Sequence, residues 1–455
     1  MALISTNPAT GEEVERYDEM TSEEVQTIIE RAHETHRAWR EVSFEERAKC
    51  LNKAAEILRD EHEALAKIVT REMGKPISQA RAEVKKCATA FDYYAANGAA
   101  HLAPEVIETD ASRSYISYQP LGVVLAIMPW NFPFWQAVRF AAPTLMAGNA
   151  GLLKHAENVT GCALAIEDVM KRSGFPEGLF RTLLVQVEEV EKILDNPKVA
   201  AATLTGSTGA GKAVSSSAGK HLKKTVLELG GSDPYLILED ADLDAAVDAC
   251  ATSRLQNSGQ SCIAAKRFIV AESLVSEFQD KLLEKMKAQK MGDPTQEDTD
   301  IGPQARPDLR DALHKQVTKS VDAGAKLLLG GELPDGPGAF YPPTILADVT
   351  EGMPAYDEEV FGPVAAIITA KSEEDAIRIA NDTLYGLGAA VFTRDRGRGE
   401  QIAAEKLHAG NCFVNAFVKS DPRLPFGGIK ESGYGRELSK LGIHEFVNIK
   451  TVYVA

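Results

Sequence analysis

Apolar and polar residues follow two different periods along this chain. In the first hundred residues the apolar positions recur at helical spacing, and capping boxes at 21–24 and 43–46 open two such segments. Gly74-Lys75-Pro76 is typical of one helix ending and another starting. We therefore predict that the chain begins with helices.

From residue 121 onward the pattern changes to short apolar runs separated by amphipathic helical segments. That rhythm is typical of a mostly parallel, doubly wound α/β sheet. We place the boundary between two such regions near Gly230-Gly231, where two glycines permit a tight change of direction. The predicted strands are 121–128, 150–154, 179–185, 200–205, 225–229, 235–238 and 267–270, followed in the second region by 325–329, 364–368, 388–392 and 411–414.

Two further segments, 114–119 and the chain end at 446–455, alternate apolar and polar residues. A terminal strand that follows a completed domain often pairs elsewhere, so the two segments are candidates for an intersubunit sheet. A plain edge strand within the domain is an equally good interpretation of the same pattern.

Length and charge restrict the class of protein. A chain of 455 residues is too long for one core, so two large domains are expected. The net charge of -16 argues against a broad nucleic-acid surface. The N-terminus lacks the basic and apolar regions of a signal peptide, and the apolar runs are too short to span a bilayer. We expect a cytoplasmic protein with neither nucleic acid nor membrane as a partner.

The six cysteines show neither a CxxC pair nor zinc-ligand spacing, so we expect no disulfide framework and no bound metal. The ordinary interpretation of each cysteine is a small buried hydrophobic residue. Cys262 is a candidate for more because it is accompanied upstream by Glu228. A thiol can attack a carbonyl carbon and hold the product as a thioester, and a carboxylate can activate the water that releases it.

The segment 204–212 follows a predicted strand and opens a helix, where a phosphate meets free backbone N–H groups. It nearly matches the P-loop of ATPases, but Ala213 stands where a hydroxyl should hold Mg²⁺. A dinucleotide site around Gly206 and Ser207 fits the segment better.

A second strand end, 152–157, offers two further groups to such a cofactor. Lys154 could reach ribose hydroxyls, and Glu157 could accept a hydrogen bond from the adenosine 2′-hydroxyl. Because a carboxylate there would repel a 2′-phosphate, we expect Glu157 to favour NAD+. The positive charge of Lys154 and His155 leaves NADP+ open.

Asn131 lies in a stretch, 128–135, where two prolines and four aromatic residues surround one amide. An asparagine N–H can stabilise an oxyanion in a dry site. A turn asparagine among packing aromatics is the plainer interpretation. Together the thiol, the carboxylate, the amide and the nucleotide pattern suggest oxidation of an aldehyde.

These segments resemble the signatures of the aldehyde dehydrogenase superfamily, in the family's order and spacing. The resemblance covers nearly the whole chain. It rests on 7–12, 129–133, Lys154, 206–208, 228–231, 259–262, 359–363 and 425–428.

The resemblance implies an α/β fold of two doubly wound domains, a Rossmann-like cofactor domain and a catalytic domain, with a small β oligomerisation element. Carried onto this chain, the NAD(P)-binding domain comprises 1–101 and 120–229, and the catalytic domain comprises 230–440. The oligomerisation element comprises 102–119 and 441–455. The implied assembly is a homodimer or homotetramer.

The resemblance also implies roles for single residues. Cys262 is the nucleophile, Glu228 the general base, and Asn131 shares an oxyanion hole with the backbone N–H of Cys262. Because acylating relatives typically lack the carboxylate, Glu228 favours a free carboxylic acid as the product. The cofactor-binding positions are Pro129, Trp130, Lys154, Glu157, Gly206, Ser207, Glu359 and Phe361, the last two at the nicotinamide ribose and ring.

Arg139 follows Trp135 by one helical turn, so an aromatic wall and a guanidinium share a face. Such a face suits a small aldehyde with a distal carboxylate, and it resembles that of succinate-semialdehyde dehydrogenases. Ser420 is a candidate second contact. Two features of some members of that subfamily are missing, because Leu255-Gln256 replaces a second arginine and no cysteine neighbours Cys262.

Three alternatives stay open. One is a broad-specificity aliphatic or other semialdehyde dehydrogenase, which the sequence discriminates poorly. Another is a P-loop enzyme, which Ala213 disfavours. The last is an inactive structural homologue, which the presence of both Cys262 and Glu228 disfavours.

Overall fold

In the computed structural model, which describes residues 2–455, helices and strands alternate along most of the chain. The strands are β1 (Ala2–Thr6), β2 (Glu13–Asp18), β3 (Glu105–Val106), β4 (Arg113–Pro120), β5 (Val123–Met128), β6 (Ala150–His155), β7 (Phe180–Thr182), β8 (Val199–Thr205), β9 (Lys224–Glu228), β10 (Asp233–Ile237), β11 (Ala265–Ala271), β12 (Lys326–Leu329), β13 (Thr344–Ala347), β14 (Val364–Ala370), β15 (Gly388–Phe392), β16 (Asn411–Val414), β17 (Gly433–Tyr434) and β18 (Val447–Val454). The helices are α1 (Ser22–Trp39), α2 (Phe44–Asp60), α3 (His62–Met73), α4 (Ile77–His101), α5 (Pro133–Met146), α6 (Thr160–Arg172), α7 (Glu189–Asp195), α8 (Thr208–Lys220), α9 (Leu243–Leu255), α10 (Val275–Lys287), α11 (Pro307–Asp322), α12 (Pro354–Asp357), α13 (Glu373–Asn381), α14 (Arg396–Gln401) and α15 (Ser439–Ile443).

Two mainly parallel sheets organise the molecule. The first has six strands in the order β17-β9-β8-β5-β6-β7, and the second has seven in the order β12-β13-β14-β11-β10-β15-β16. Only β17 in the first sheet and β12 in the second pair antiparallel to their neighbours. The prediction of doubly wound α/β sheets is confirmed.

The second sheet shows directly how strand residues build a core on two faces. Leu236 and Ile269 belong to one apolar cluster, whereas Tyr235, Ile237 and Phe268 belong to the cluster on the other face. Successive side chains of a strand point to opposite faces. A sheet covered by helices on both sides therefore needs the continuous apolar runs from which its strands were predicted.

The predicted start of the chain is partly wrong, because β1 and β2 form an antiparallel pair before the first helix. The signal was the alternation in 2–6, which buries Leu3 and Ser5. The Ser5 hydroxyl donates to Glu72 Oε1 at 2.8 Å and so holds this strand against α3. The predicted capping box at 21–24 does open α1. Strand β13 was also missed, because four buried residues are too short to show a period.

The chain passes from the first sheet to the second between β9 and β10. Gly230 and Gly231 lie there, but neither has a positive φ. A Cβ on Gly230 would collide with the Glu359 carboxylate, and one on Gly231 would lie 2.9 Å from the Cys262 carbonyl oxygen. These glycines therefore permit close approach to the candidate site and not the tight turn we predicted. The domain boundaries themselves stay a prediction.

A third sheet, in the order β18-β4-β3, stands apart from the other two. Strand β18 pairs with β4 from Val447↔Pro120 to Val454↔Arg113. The two alternating segments of the sequence thus pair within one chain and leave β18 at the sheet edge. Among residues 2–455, no helix combines the length and apolarity that crossing a bilayer requires.

Candidate active site

The candidate site lies where the carboxyl ends of the first sheet meet the amino ends of the second. In the first sheet β5 lies between β6 and β8, so the strand order reverses on either side of it. Ligands of open α/β sheets bind at that crevice, beyond the carboxyl ends of the strands. The residues at these ends are Asn131 after β5, Lys154 in β6, Gly206 after β8 and Glu228 in β9. Cys262 and Glu359 instead precede β11 and β14 of the second sheet.

A strained loop presents Cys262. Asn257 and Ser258 adopt left-handed φ angles of 56° and 53°, which are costly for residues with a side chain. The Asn257 side chain donates to the carbonyl oxygens of Asn131 at 2.7 Å and Gln260 at 3.1 Å. Lys266 Nζ donates to the carbonyl oxygen of Cys262 at 2.6 Å. These bonds hold the backbone on both sides of the thiol.

The Cys262 thiol is half-buried in the wall of the cavity described below. Burial raises its pKa to about 12, against the opposing positive charges of Lys266 and Arg139. The neutral thiol is therefore the stable form in the absence of a ligand. A reaction in which this sulfur is the nucleophile must therefore include removal of the thiol proton.

Glu228 is a buried carboxylate, 2% exposed, at the end of β9. Neither of its oxygens has a hydrogen-bond partner within residues 2–455. Burial, followed by the negative charge of Glu437, raises its pKa well above the usual range. Gly427 makes room for it, because a Cβ there would lie 2.7 Å from Glu228 Oε1. A buried carboxyl group left without partners is costly, and such groups concentrate at functional sites.

Glu228 is fixed by a strand from the far end of the chain. In β17, Gly433 pairs with Glu228 and Tyr434 with Leu227. The Ser432 hydroxyl donates to the Gly230 carbonyl at 2.6 Å. Residues that come after the second sheet in the chain therefore form the edge strand of the first sheet, next to Glu228.

Asn131 lies against the nucleophile loop. Its Nδ2 donates to the Gln260 carbonyl at 3.1 Å, and its Oδ1 is buried without a partner in the described residues. An asparagine amide carries two N–H donors. One donor therefore remains for a ligand next to Cys262, although the first is used to hold the loop.

A cavity of about 320 Å³ opens beside Cys262. The three predicted substrate residues, Trp135, Arg139 and Ser420, all line it. Further aromatic walls come from Phe132, Phe417 and Phe426. An apolar cleft with a few polar groups in its wall is typical of a small-molecule site.

Arg139 is held by other protein groups and is not a free guanidinium at the cavity wall. It forms an ion pair with Glu437, and both side chains are buried. Its Nη2 donates to Thr205 Oγ1 at 3.3 Å, and its guanidinium lies 4.8 Å from the Phe426 ring centroid. Glu437 was missed, because nothing in its local sequence marks it as a partner of a helix in the first half of the chain.

Lys86 is a second residue that sequence reasoning missed. It lies on α4 and lines the cavity, where its Nζ donates to Ser420 Oγ at 2.7 Å. The same Nζ lies 4.3 Å from the Trp135 ring centroid. Burial, followed by the positive charge of Arg139, lowers its pKa to about 8.

Helix α5 carries Trp135 and Arg139, and its N-terminus is capped from another helix. Pro133 occupies the first turn, and Phe132 offers no side-chain cap. Glu83 Oε1 on α4 accepts hydrogen bonds from the N–H groups of Phe134 at 2.9 Å and Trp135 at 3.0 Å. A carboxylate is also favoured there by the helix dipole. Glu83 thereby fixes the direction in which α5 enters the site.

The cofactor positions surround the crevice of the first sheet. Ser207 caps α8 by accepting a hydrogen bond from the Ala210 N–H at 3.2 Å, and the N-terminus of such a helix suits a phosphate. Lys154 is buried, and burial lowers its pKa while Glu157 opposes that shift. Its ammonium group forms no ion pair within residues 2–455. A buried, unpaired cation and a helix N-terminus at the same crevice fit an anionic dinucleotide.

The remaining cofactor positions lie on the other side of the crevice. Glu359 Oε1 accepts a hydrogen bond from the Gly231 N–H at 3.0 Å. The Phe361 and Trp130 rings meet edge to face with centroids 5.8 Å apart, next to Pro129. The positions predicted around a nicotinamide thus lie together in space.

His155 is neutral, so its predicted positive charge is wrong. Its Nδ1 accepts from the Ala156 N–H, which leaves Nε2 to donate to the Pro133 carbonyl at 2.9 Å. Burial is the main cause that lowers its pKa to about 4. Glu157 follows in a short 3-10 turn, half-buried, where its charge acts on Lys154 and Arg306.

A cysteine and an unpartnered carboxylate beside a dinucleotide crevice define a class of NAD(P)-dependent dehydrogenases that hold their substrate covalently. The chain belongs to the aldehyde dehydrogenase family, whose model matches residues 2–452. It is 52% identical over 458 residues to succinate-semialdehyde dehydrogenase [NADP(+)] 1 of Mycobacterium tuberculosis, with all of both chains covered. It is also 52% identical to a succinate-semialdehyde dehydrogenase [NADP(+)] of Mycobacterium avium, covering 97% of that protein.

A solved structure supports the same relation. Succinic semialdehyde dehydrogenase from Streptococcus pyogenes, in complex with NADP+, matches with a TM-score of 0.97 and 40% identity over all of both chains. The family predicted from the sequence and an NAD(P)-dependent oxidation of aldehydes are thereby confirmed.

The preference for NAD+ that we predicted from Glu157 is wrong. The two mycobacterial relatives are named as NADP(+) enzymes, and the streptococcal structure holds NADP+. The prediction weighed Glu157 against the positive charges of Lys154 and His155 and left out Arg306. In the structure Lys154 and Arg306 both lie within the electrostatic reach of Glu157, so the sign of the local field is not set by the carboxylate alone.

Proposed function

We propose that this protein oxidises succinate semialdehyde to succinate, with NADP+ as the oxidant. One observation carries the proposal: a single cavity is lined by both Cys262 and the cations Lys86 and Arg139. A short aldehyde with a distal carboxylate matches both kinds of group. The names of the mycobacterial and streptococcal relatives support the same substrate.

In this proposal Cys262 is the nucleophile. The thiol loses its proton to water, and the resulting thiolate attacks the aldehyde carbon to give the oxyanion of a tetrahedral thiohemiacetal. Asn131 Nδ2 and the backbone N–H of Cys262 stabilise the oxyanion, each donor contributing about 3 kcal/mol. When bound, the nicotinamide supplies the hydride acceptor. The product of that oxidation stays attached to the sulfur as a thioester.

Glu228 then acts as the general base that releases the product. Burial raises its pKa, so the ionised carboxylate is a stronger base toward water than an exposed glutamate would be. Because neither oxygen is hydrogen-bonded to protein, both are available to a water molecule. Hydrolysis of the thioester gives a free carboxylic acid and returns Cys262 to its starting state.

The proposed cofactor contacts follow the crevice of the first sheet. Gly206 and Ser207 hold the pyrophosphate at the N-terminus of α8, and Lys154 with Glu157 lies at the adenosine ribose. Pro129, Trp130, Glu359 and Phe361 surround the nicotinamide ribose and ring. The positive charges of Lys154 and Arg306 support acceptance of a 2′-phosphate.

The test is kcat/KM for a panel of aldehydes with NADP+ and NAD+ separately. We expect succinate semialdehyde with NADP+ to give the highest value, and butanal, which has the same chain length without a carboxylate, a much lower one. Equal values for the two aldehydes would contradict the substrate. A higher value with NAD+ would contradict the cofactor.

A second candidate is a broad-specificity aliphatic aldehyde dehydrogenase. The ion pair of Arg139 with Glu437 favours it, because that carboxylate already neutralises the guanidinium. The same panel separates the two candidates, since a broad-specificity enzyme would turn over uncharged aldehydes of several lengths equally well.

We also propose that the chain forms a homodimer or homotetramer through the sheet of β18, β4 and β3. Strand β18 has a free edge, and its Ile449 and Tyr453 are 60% and 55% exposed. Exposed apolar residues on an unpaired edge favour pairing with another chain. Light scattering of the purified protein tests this, and Ile449→Lys should shift it toward smaller species.

A further inference from the structure

We propose that Lys86 anchors the distal carboxylate of the substrate, an inference that rests on the proposed oxidation of succinate semialdehyde. Lys86 lies on α4, far in sequence from every motif that pointed to the reaction. Its place in the cavity, its partners and its unneutralised charge carry the inference.

Four cations line the cavity, namely Lys75, Lys86, Arg139 and Lys419. Lys75 is paired with Glu83, and Arg139 is paired with Glu437. Lys419 is exposed to bulk water. Within residues 2–455 no carboxylate oxygen lies within 4.0 Å of Lys86 Nζ, and the side chain is half-buried. Lys86 is therefore the cavity cation that neither forms an ion pair with a protein carboxylate nor lies fully exposed to bulk water.

Two side chains hold the ammonium group of Lys86 in place. Ser420 Oγ accepts one of its three hydrogens at 2.7 Å, and the Trp135 ring lies 4.3 Å away. An aromatic face attracts a cation and offers it no hydrogen-bond acceptor. Two supports fix the position of Nζ while leaving N–H donors for a ligand. Trp135 and Ser420, which the sequence suggested as substrate contacts, thereby also act as the supports of Lys86.

The absence of a counter-ion for Lys86 costs free energy. A partly buried ammonium without a counter-ion is less stable than one in water, which agrees with the lowered pKa of Lys86. A substrate carboxylate supplies the missing counter-charge, and an uncharged aldehyde does not. The cavity thus favours anionic aldehydes through a charge that the protein itself leaves unpaired.

The experiment compares Lys86→Met with the matched control Lys85→Met, because Lys85 is the exposed neighbour on the same helix. The readout is the ratio of kcat/KM for succinate semialdehyde to that for butanal. We expect Lys86→Met to lower the ratio by about 10- to 100-fold, mainly through KM, with butanal nearly unchanged. Lys85→Met should leave both values unchanged, and Lys86→Arg should restore most of the ratio.

A measurement on the unaltered protein gives an independent readout. The titratable groups that face Lys86 are Glu83 and Cys87 on α4, Arg139 on α5 and Asp421 after Ser420. Arg423 holds the pKa of Asp421 at about 2, and burial keeps that of Cys87 well above its ordinary value. Lys86, with a pKa of about 8, therefore loses its proton as the pH rises from 7 to 10. The succinate-semialdehyde to butanal ratio should fall over that range, because Cys262 serves both aldehydes.

The possible outcomes separate this inference from the proposed function. If the unaltered protein does not prefer succinate semialdehyde to butanal, the proposed substrate fails. If it does prefer it, and Lys86→Met keeps both the ratio and its pH dependence, Lys86 is not the anchor although the proposed function stands. An equal loss on both aldehydes would mean a structural role and would also overturn the inference.

Discussion

Two sets of residues at the proposed site treat polar groups in opposite ways. We call Cys262, Glu228 and Asn131 the reacting end and Lys86 with Arg139 the anchoring end. At the reacting end, both oxygens of Glu228 and the Asn131 Oδ1 are left without partners in the described residues, and burial favours the neutral form of Cys262. At the anchoring end, Arg139 is ion-paired and Lys86 is held between a hydroxyl and an aromatic ring.

The difference reflects what each end has to do. A group that must give or take a proton gains reactivity from having no competing partner, and the fold tolerates the cost. A group that must recognise a charge gains from being fixed, because an ordered cation loses less entropy when it binds. Substitutions at the two ends should therefore differ in kind as well as in size.

The largest effect is expected at the sulfur. Cys262→Ala should lower kcat by at least about 10⁴-fold, because no other group at this end can form the thioester. Binding of NADP+, followed by fluorescence or calorimetry, should be unchanged. Cys412→Ala is the matched control, since that thiol lies on β16 outside the cavity, and it should keep full activity. Turnover by the Cys262 variant would refute the covalent route.

Glu228→Gln should separate the two halves of the reaction. The thioester should still form, so rapid mixing should show a burst of about one reduced cofactor per site. Steady turnover should fall by about 10²- to 10⁴-fold, because water is no longer activated. A variant that loses the burst together with the turnover would place Glu228 in the first half instead.

At the anchoring end, Arg139→Met should show its main effect on stability. It leaves the buried Glu437 without its partner, which costs about 3–5 kcal/mol of unfolding free energy. Adding Glu437→Gln should recover part of that loss, because the uncompensated charge is removed. Denaturant unfolding of the single and double variants measures this. Equal stability of the two would show that the ion pair is not the reason for the loss.

The raised pKa of Cys262 predicts that the reactivity of its sulfur depends on pH in the absence of substrate. With a pKa of about 12, the thiolate fraction of Cys262 should rise about tenfold per pH unit between pH 7 and 9. The rate of alkylation by iodoacetamide should rise with it and should not level off in that range. Cys262→Ala gives the background from the other cysteines. A plateau near pH 8 would mean that a neighbouring cation lowers the pKa far more than burial raises it.

The smallest effect is expected at Glu157. Its charge is opposed by Lys154 and Arg306, so Glu157→Gln should change the ratio of kcat/KM for NADP+ and NAD+ by less than about fivefold. A larger change would restore Glu157 as the main determinant of cofactor choice.

Sequence reasoning succeeded where the signal is local. Apolar runs gave most strands of the two large sheets, and short motifs singled out Cys262, Glu228 and Asn131, whose roles stay a prediction. It failed where the partner is remote: Lys86 and Ser420 are separated by 334 residues, and no pattern links them. The cofactor prediction failed for the same reason, because the field at Glu157 includes Arg306 from the other half of the chain.

Strand β17 determines how much of the chain must be present before the site around Glu228 is complete. Every residue assigned to the chemistry precedes residue 263, yet the strand that closes the sheet edge at Glu228 begins at Gly433. A nascent chain on the ribosome, or a product truncated before that point, carries the whole catalytic set with an open edge beside its base. We therefore expect activity only in chains that include Gly433 and Tyr434.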